Sequence, residues 1–227
     1  MKKIELLAPA GNLESMYAAV ELGADAVYLG GSKFSARAYA PNFDDKNMEN
    51  AVEYCHLRNV KIYVTVNTII KEEELKKACR YATFLYDIGV DALIVQDIGF
   101  SSILKRILPN FELHASTQMT IHNGEAALFL KKMGFKRIVL SRELSLNEVE
   151  RISRDLGLET EVFVHGALCV CYSGQCLMSS IIGGRSGNRG RCAQPCRLPY
   201  EIIDEKGKNR KHGYLLSPKD MCTIENI

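Results

Sequence analysis

The chain has no tryptophan, and its formal net charge is only +2. It has no long apolar run either. The missing tryptophan excludes nothing. The missing run does, because no stretch approaches the ~20 residues of a membrane-spanning helix. The N-terminus, Met1-Lys-Lys-Ile-Glu-Leu-Leu-Ala8, offers only a few apolar residues before Pro9 and Gly11. A secretory leader needs a longer apolar region, so a cytoplasmic protein is expected, with no membrane partner. Several catalytic signatures are absent too. There is no HExxH of a zinc protease and no GxSxG elbow of a serine hydrolase. No GxGxxG follows the first strand-like run, which weakens a dinucleotide-binding reading. No C-x3-C-x2-C occurs, so radical cleavage of S-adenosylmethionine is not expected.

What is present is ordinary in bulk and uneven in detail. The 227 residues are 47% hydrophobic and 25% charged, enough to bury a sizeable core. The segment 183–213 holds eight basic residues against three acidic ones. A basic lip of that kind suits a polyanion such as RNA, though a solvated surface loop would read the same way.

Short apolar runs alternate with amphipathic stretches. Strands are expected at 4–7, 26–29, 61–66, 92–95, 112–115, 137–140 and 161–164. Helices are expected at 12–22, 46–58, 72–88, 100–108, 124–133 and 146–156. Ser145-x-x-Glu148 has the form of a capping box, and Gly23, Gly89, Gly134 and Gly157 follow helix ends, as C′ glycines do. Three stretches, 22–29, 88–95 and 133–140, repeat one plan: helix end, glycine, short turn, buried strand. Near-continuous apolar strands with crossover helices imply a parallel sheet. Units of ~25–30 residues point to a TIM-type (β/α) barrel of class α/β. A doubly wound open sheet is the alternative. Seven strands are visible and the eighth is missing, so the chain is expected to be truncated at its C-terminus. Residues 1–166 read as the barrel core. Residues 167–227 read as a Cys-rich metal-binding loop, then a basic β-hairpin from 200–203 and 214–216, then a helical start at Ser217-Pro-Lys-Asp220.

Five of the eight cysteines, Cys169, Cys171, Cys176, Cys192 and Cys196, crowd one Gly- and Arg-rich loop. Thiols in a reducing compartment point to metal or catalysis rather than disulfides. Four thiolates suffice for a tetrahedral zinc or for an iron–sulfur cube. Zinc favours tight C-x2-4-C pairs at both ends, and only Cys192-x3-Cys196 is that tight. A 4Fe–4S cluster is therefore preferred and zinc is the alternative; buried or redox-active thiols are the bland reading. Cys55 and Cys79 fall inside helical patterns and read as packing. Cys171 rivals Cys169, and Cys222 rivals Cys196 as fourth ligand.

This loop carries a family resemblance. Glu161-x-Phe163-x-x-Gly166-Ala167-Leu168-Cys169-x4-Gly174-x-Cys176-x-Met178-Ser179, with Arg189-Gly190-x-Cys192-x3-Cys196 after it, resembles the signature of the U32 peptidase family. Leu6-Leu-Ala-Pro-Ala-Gly11 and Gly23-Ala-Asp-Ala-Val-Tyr28 are similar to that family as well, so the resemblance spans essentially the whole chain. It favours Cys169, Cys176, Cys192 and Cys196 as the ligand set. It implies one of two activities: the collagenase-like peptidase of the family's name, or iron–sulfur-dependent, oxygen-independent hydroxylation of tRNA or rRNA pyrimidines or of a quinone ring. For the RNA-modifying members it further implies prephenate, a small carboxylate, as co-substrate. In that family a further strand follows a little beyond the point where this chain stops.

Barrel chemistry sits where strands end. The ends here carry Pro9 to Gly11, Gly30 and Gly31, Asn67, Gln96 and Asp97, His114, Ser116 and Gln118, Ser141 and Arg142, and His165 and Gly166. His165, His114, Arg142, Asn67 and Asp97 form the candidate catalytic set. Arg37, Gln118, Arg189 and Arg191 are the candidate substrate contacts. The bland readings are helix capping for Asn67 and Asp97, a core histidine for His114, and packing of Arg37 beside Phe34 and Tyr39. Cys169 with His165 would be the nucleophile and base of a peptidase. A non-catalytic iron–sulfur scaffold is the third possibility.

Overall fold

The computed structural model describes residues 4–39, 41–205 and 210–226. Seven strands, β1 (Leu7–Ala10), β2 (Ala26–Gly30), β3 (Lys61–Val66), β4 (Ala92–Val95), β5 (Glu112–Ala115), β6 (Arg137–Val139) and β7 (Thr160–Glu161), pair in chain order. Every pairing is parallel. The sheet curls into a barrel that stays open between β1 and β7. The crossovers are α1 (Leu13–Glu21), α2 (Asp45–His56), α3 (Leu75–Asp87), α4 (Ile98–Ile107), α5 (Gly124–Lys132) and α6 (Leu146–Glu150), the last running on as a π-turn over Arg151–Asp155. Among the described residues no helix is long and apolar enough to cross a membrane.

Local chemistry sets the helix starts. Asn12, Asp44, Asp97 and Asn123 each accept a hydrogen bond from the backbone N–H three residues on, at 2.7–2.9 Å, satisfying an otherwise unpaired donor. The Ser145–Glu148 capping box forms. Gly23, Gly89 and Gly134 adopt φ of +93°, +89° and +92°, which a Cβ would disfavour. The larger core lies between sheet and helices. A smaller one, Ala26, Tyr63, Ala92 and Ile94, fills the barrel interior.

Three expected elements fall elsewhere. β1 lies at 7–10 rather than 4–7, because Pro9 needs no ladder partner on the open side of an edge strand. The hairpin pairs β9 (Tyr200–Ile203) with β10 (Arg210–Gly213) rather than with 214–216. Both expected strands are largely exposed, so no buried face dictates their register. The expected turn at Lys206 and Gly207 lies outside the described residues. Ser217 to Asp220 begins no helix. The chain instead forms β11 (Met221–Cys222), antiparallel to β8 (His165–Gly166).

The floor of the barrel is a charged layer. Arg137 on β6 donates to Glu5 at 2.7 Å and to Glu159 at 2.8 and 3.0 Å. Glu5 also accepts from the Tyr63 hydroxyl at 2.9 Å. This contact ties the segment before β1 to β6 across the interior, although β1 and β7 share no ladder.

Candidate active site

Residues 167–197 fold back over the mouth and are pinned to the loops after the strands. The Arg189 guanidinium grips the Glu74 carboxylate at 2.5 and 2.6 Å and donates to the Ile69 carbonyl at 2.7 Å. Gly190 lies so close that a Cβ there would sit 2.1 Å from the Ser35 carbonyl oxygen. The Ala38 N–H donates to Gly190 O at 3.0 Å. On the far side, Glu143 accepts from the Ser173 N–H and hydroxyl at 2.8 and 3.0 Å. Thr120 donates to Ser173 O at 2.7 Å. Arg197 donates to the Leu168 and Pro218 carbonyls at 2.7 and 2.9 Å. The loop is thus a lid with anchors after β2, β3, β5 and β6. α7 (Met178–Gly183) lies within it.

The lid gathers thiols. The Cys196 thiol is pushed up by burial and by Cys169, Cys192 and Cys176 around it, against a lowering by Arg197. Cys171 is raised by burial and by Cys176, with which it shares a hydrogen bond, and by Cys169. The four cysteines of the expected set are therefore neighbours, and Cys171 adjoins them. Cys222 pairs its backbone with His165. Arg142 Nη2 lies 3.6 Å from Cys169 Sγ, and Nη1 donates to Ala167 O at 3.2 Å. Among the described residues no three Cys, His, Asp or Glu side chains converge tightly enough to grip an ion as they stand. The donor set, all sulfur with an arginine beside it, suits a thiolate-held group.

Beneath the lid a pocket of about 50 Å³ is lined by Tyr28, Thr65, Asn67, Ser116, Glu161 and Phe163, among others. Arg142 lies 5.9 Å from the Phe163 ring centroid, so it links pocket and thiols. Asn67 accepts from the Ala36 N–H at 2.9 Å and donates to the Ser116 hydroxyl at 3.3 Å. Burial raises the Tyr28 hydroxyl, while Arg37 and Arg142 pull it down and Glu161 pushes it up. Gln118 lines a wider, open depression of about 380 Å³ with Ile69, Gln96 and Asp97.

Other candidates stand elsewhere. His114 is fully buried, bonded through Nε2 to Glu112 at 2.9 Å and edge-on to Tyr63. Burial lowers its pKa against the pull of Glu112, so it is a neutral core histidine. Asp97 caps α4 and holds the Ile70 N–H at 3.0 Å. Arg189 is the lid's clamp, and its forked bond to Glu74 leaves it no cation to offer. Arg191 and His165 are exposed. Sequence reasoning passed over Glu161 and Tyr28 as site residues. A carboxylate at the head of an apolar strand, in the inward phase with Thr65 and His114, was the available signal.

Fold and site together define a parallel α/β barrel whose mouth is covered by a thiol-rich lid. The chain belongs to peptidase family U32, whose sequence model matches residues 11–227. It is 48% identical to the 23S rRNA 5-hydroxycytidine C2501 synthase of Escherichia coli K12, over 99% of this chain and 34% of that one. It is 40% identical to tRNA hydroxylation protein P1 of Bacillus subtilis, over 100% of this chain and 55% of that one. It is 35% identical to a collagenase of Porphyromonas gingivalis, over 98% of this chain and 57% of that one. The chain thus spans from a third to somewhat over half the length of these relatives. The structure of the U32 peptidase Mk0906 superposes with a TM-score of 0.61 at 15% identity, over 73% of this chain and 70% of that one, which supports the barrel and nothing finer.

Proposed function

We propose that this chain is the barrel and lid of an RNA-modifying enzyme that hydroxylates pyrimidines of tRNA or rRNA without oxygen, using a 4Fe–4S cluster. The observation that carries it is the gathering of Cys169, Cys176, Cys192 and Cys196 over a small polar pocket, with Arg142 touching both. The two RNA-hydroxylation relatives support the substrate class. Those four cysteines would hold the cluster. When bound, it would supply one-electron redox chemistry that the pocket's own side chains lack. Arg142 and Arg37 would take a small carboxylate co-substrate such as prephenate, since a guanidinium fork matches a carboxylate. Asn67, held by Ala36 and Ser116, would orient the base. Arg185 and Arg191 would meet phosphates.

The peptidase reading finds little support in the geometry. Cys169 has Arg142 beside it rather than a base, and the Ser173 hydroxyl is given to Glu143. The test is anaerobic purification with a UV–visible spectrum and iron and sulfide assays. A broad visible absorption with iron and sulfide in equal amounts is expected, with iron lost in Cys→Ser variants at each of the four positions and kept at Cys171 and Cys222. Zinc, or no metal, would overturn the cluster. Iron retained in Cys196→Ser and lost in Cys222→Ser would replace the fourth ligand.

A further inference from the structure

The rim of the mouth carries a surface apart from the thiols and the small pocket. Tyr39, in the loop after β2, is 65% exposed. Arg185, in the lid just after α7, sets its guanidinium carbon 4.6 Å from the Tyr39 ring centroid. That is cation–π distance. The exposure of Tyr39 leaves ring surface open, so a further planar group can lie against the pair.

Both partners are held from behind. The Tyr39 loop is fixed through its backbone. Asn67 accepts from the Ala36 N–H at 2.9 Å, the Thr68 hydroxyl donates to Phe34 O at 3.3 Å, and the Ala38 N–H donates to Gly190 O at 3.0 Å. Arg185 donates through Nε to Arg191 O at 3.1 Å, and its backbone N–H donates to Ser179 O at 3.1 Å. The pair therefore bridges two separately anchored segments, and less order has to be gained on binding. Arg191 directly precedes Cys192, so the pair lies beside the thiols.

The charge here is uncompensated. Arg37, Arg185 and Arg191 are all exposed. Among the described residues none of the three pairs with a carboxylate, whereas Arg189 and Arg197 face Glu74 and Asp220. Free arginines beside an exposed ring suit a partner with both anionic groups and flat faces. A nucleic acid strand offers both. In a duplex the base faces are covered by their neighbours, so only an unpaired nucleotide can use the ring.

We propose that Tyr39 and Arg185 form a stacking platform for an unpaired nucleotide adjacent to the one being modified, so that the enzyme takes RNA that is single-stranded at that neighbour. This rests on the RNA-modification reading above and adds the strand geometry it requires. The phenol ring and the guanidinium plane supply the flat surface. The Arg185 Nη atoms hydrogen-bond to nothing among the described residues, and they keep their charge for phosphate.

Fluorescence anisotropy on the full chain tests this, with a labelled oligouridylate of about 12 nucleotides and an RNA duplex of the same length. Tyr39→Leu keeps apolar bulk without a flat face. It should weaken oligouridylate binding at least about fivefold, the loss of one base stack, and leave duplex binding within about twofold. Tyr39→Phe keeps the ring and should bind the oligouridylate within about twofold of wild type. Arg185→Lys should keep the salt dependence but lose affinity, because a point charge replaces a plane. Arg185→Ala should also flatten the slope of log affinity against log salt by about 0.7. Equal losses for single strand and duplex in Tyr39→Leu, or no loss, overturn the platform. So does a Tyr39→Phe protein as weak as Tyr39→Leu, which would leave the hydroxyl as the contact. In those cases a wild type that binds the oligouridylate in a salt-dependent way keeps the RNA reading. A wild type that binds neither RNA removes the reading and the platform together.

Discussion

At the floor of the barrel, Arg137 is gripped by Glu5 and Glu159 and lies 5.2 Å from the Tyr63 ring centroid. One layer up, at the mouth, Glu161 Oε2 makes no hydrogen bond, and Arg137 Nη1 approaches it only to 3.5 Å. Both layers bury charge on inward-facing strand positions. The floor satisfies it with short hydrogen bonds, and the mouth meets it with one long ion pair. Interior charge is expensive wherever it sits, so the difference separates what the fold needs from what a ligand would use. The floor also closes an unclosed barrel, since Glu5 precedes β1 and Arg137 lies on β6.

The sharpest way to break that contrast is Arg137→Met. It keeps an apolar stem but strands Glu5, Glu159 and Glu161 in the interior. Removing one partner of a buried ion network costs about 3–5 kcal/mol. Urea denaturation at neutral pH should show a loss of that size. A loss under about 1 kcal/mol, the range of surface pairs, would mean that the floor is solvated and the contrast false.

At the mouth the sign reverses. The folded-state pKa of Glu161 is raised from 4.5 to about 7, so the folded protein holds this proton more tightly than the unfolded chain does. Stability therefore falls as pH rises from about 4.5 to about 7 and stays lower above that. Glu161→Gln removes the penalty. It should stabilise the protein at about pH 8 by on the order of 2–3 kcal/mol and change little at about pH 4. Thermal melts at the two pH values measure it. Equal effects at both would show that Glu161 is paired after all.

The two layers were unequally legible. β3, β4 and β5 lie where their apolar runs put them, because strands buried on both faces read as continuous hydrophobic stretches. β7 stops after Glu161, although the apolar run continues to Val164. Val162 is 43% exposed, and among the described residues nothing pairs with the outer edge of β7. Apolar character alone therefore overestimated that strand. The cysteines stood out by spacing, and Cys169, Cys192 and Cys176 all raise the Cys196 thiol electrostatically. Glu161 and Tyr28 were hidden by their strand context, since local sequence does not say which face of a strand turns inward. Asp97 shows the opposite ambiguity, since a polar residue after a strand caps a helix as readily as it lines a site, and Arg189 spends its guanidinium on Glu74.

The lid extends the comparison, because backbone fit at Gly190 and charge at Arg189 hold the same edge. Gly190 adopts φ +72° with the Ser35 carbonyl oxygen 2.1 Å from where a Cβ would be. Gly190→Ala should cost on the order of 2 kcal/mol through strain and displacement of the lid. Faster alkylation of the lid thiols, with the barrel's circular dichroism unchanged, would report it. Unchanged thiol reactivity would mean that the lid is held elsewhere.

The smallest effect is expected from the clamp beside it. Arg189 and Glu74 form a forked pair, and the hydrogen bonds from Arg189 hold the Glu74 carboxyl down at about 2. Both side chains are 25% exposed, and the surrounding water screens the pair, so the full shift overstates its worth. A bidentate arginine–carboxylate pair at such a surface contributes about 1 kcal/mol. Glu74 has a lowered folded pKa, so this stabilisation is present above about pH 4.5 and is lost as pH falls toward about 2. Arg189 also donates to the Ile69 carbonyl, which a lysine would reach with one donor but without the fork. Arg189→Lys should therefore loosen the lid less than Arg189→Ala, and Glu74→Gln should fall between them. The readout is the alkylation rate of the lid thiols at neutral pH, set against the same rates in added salt. If salt speeds alkylation in the wild type and not in Arg189→Ala, charge holds this edge of the lid. If salt has no effect on either protein, the backbone contacts at Gly190 hold it alone, and Arg189 becomes available to the polyanion that its sequence position first suggested.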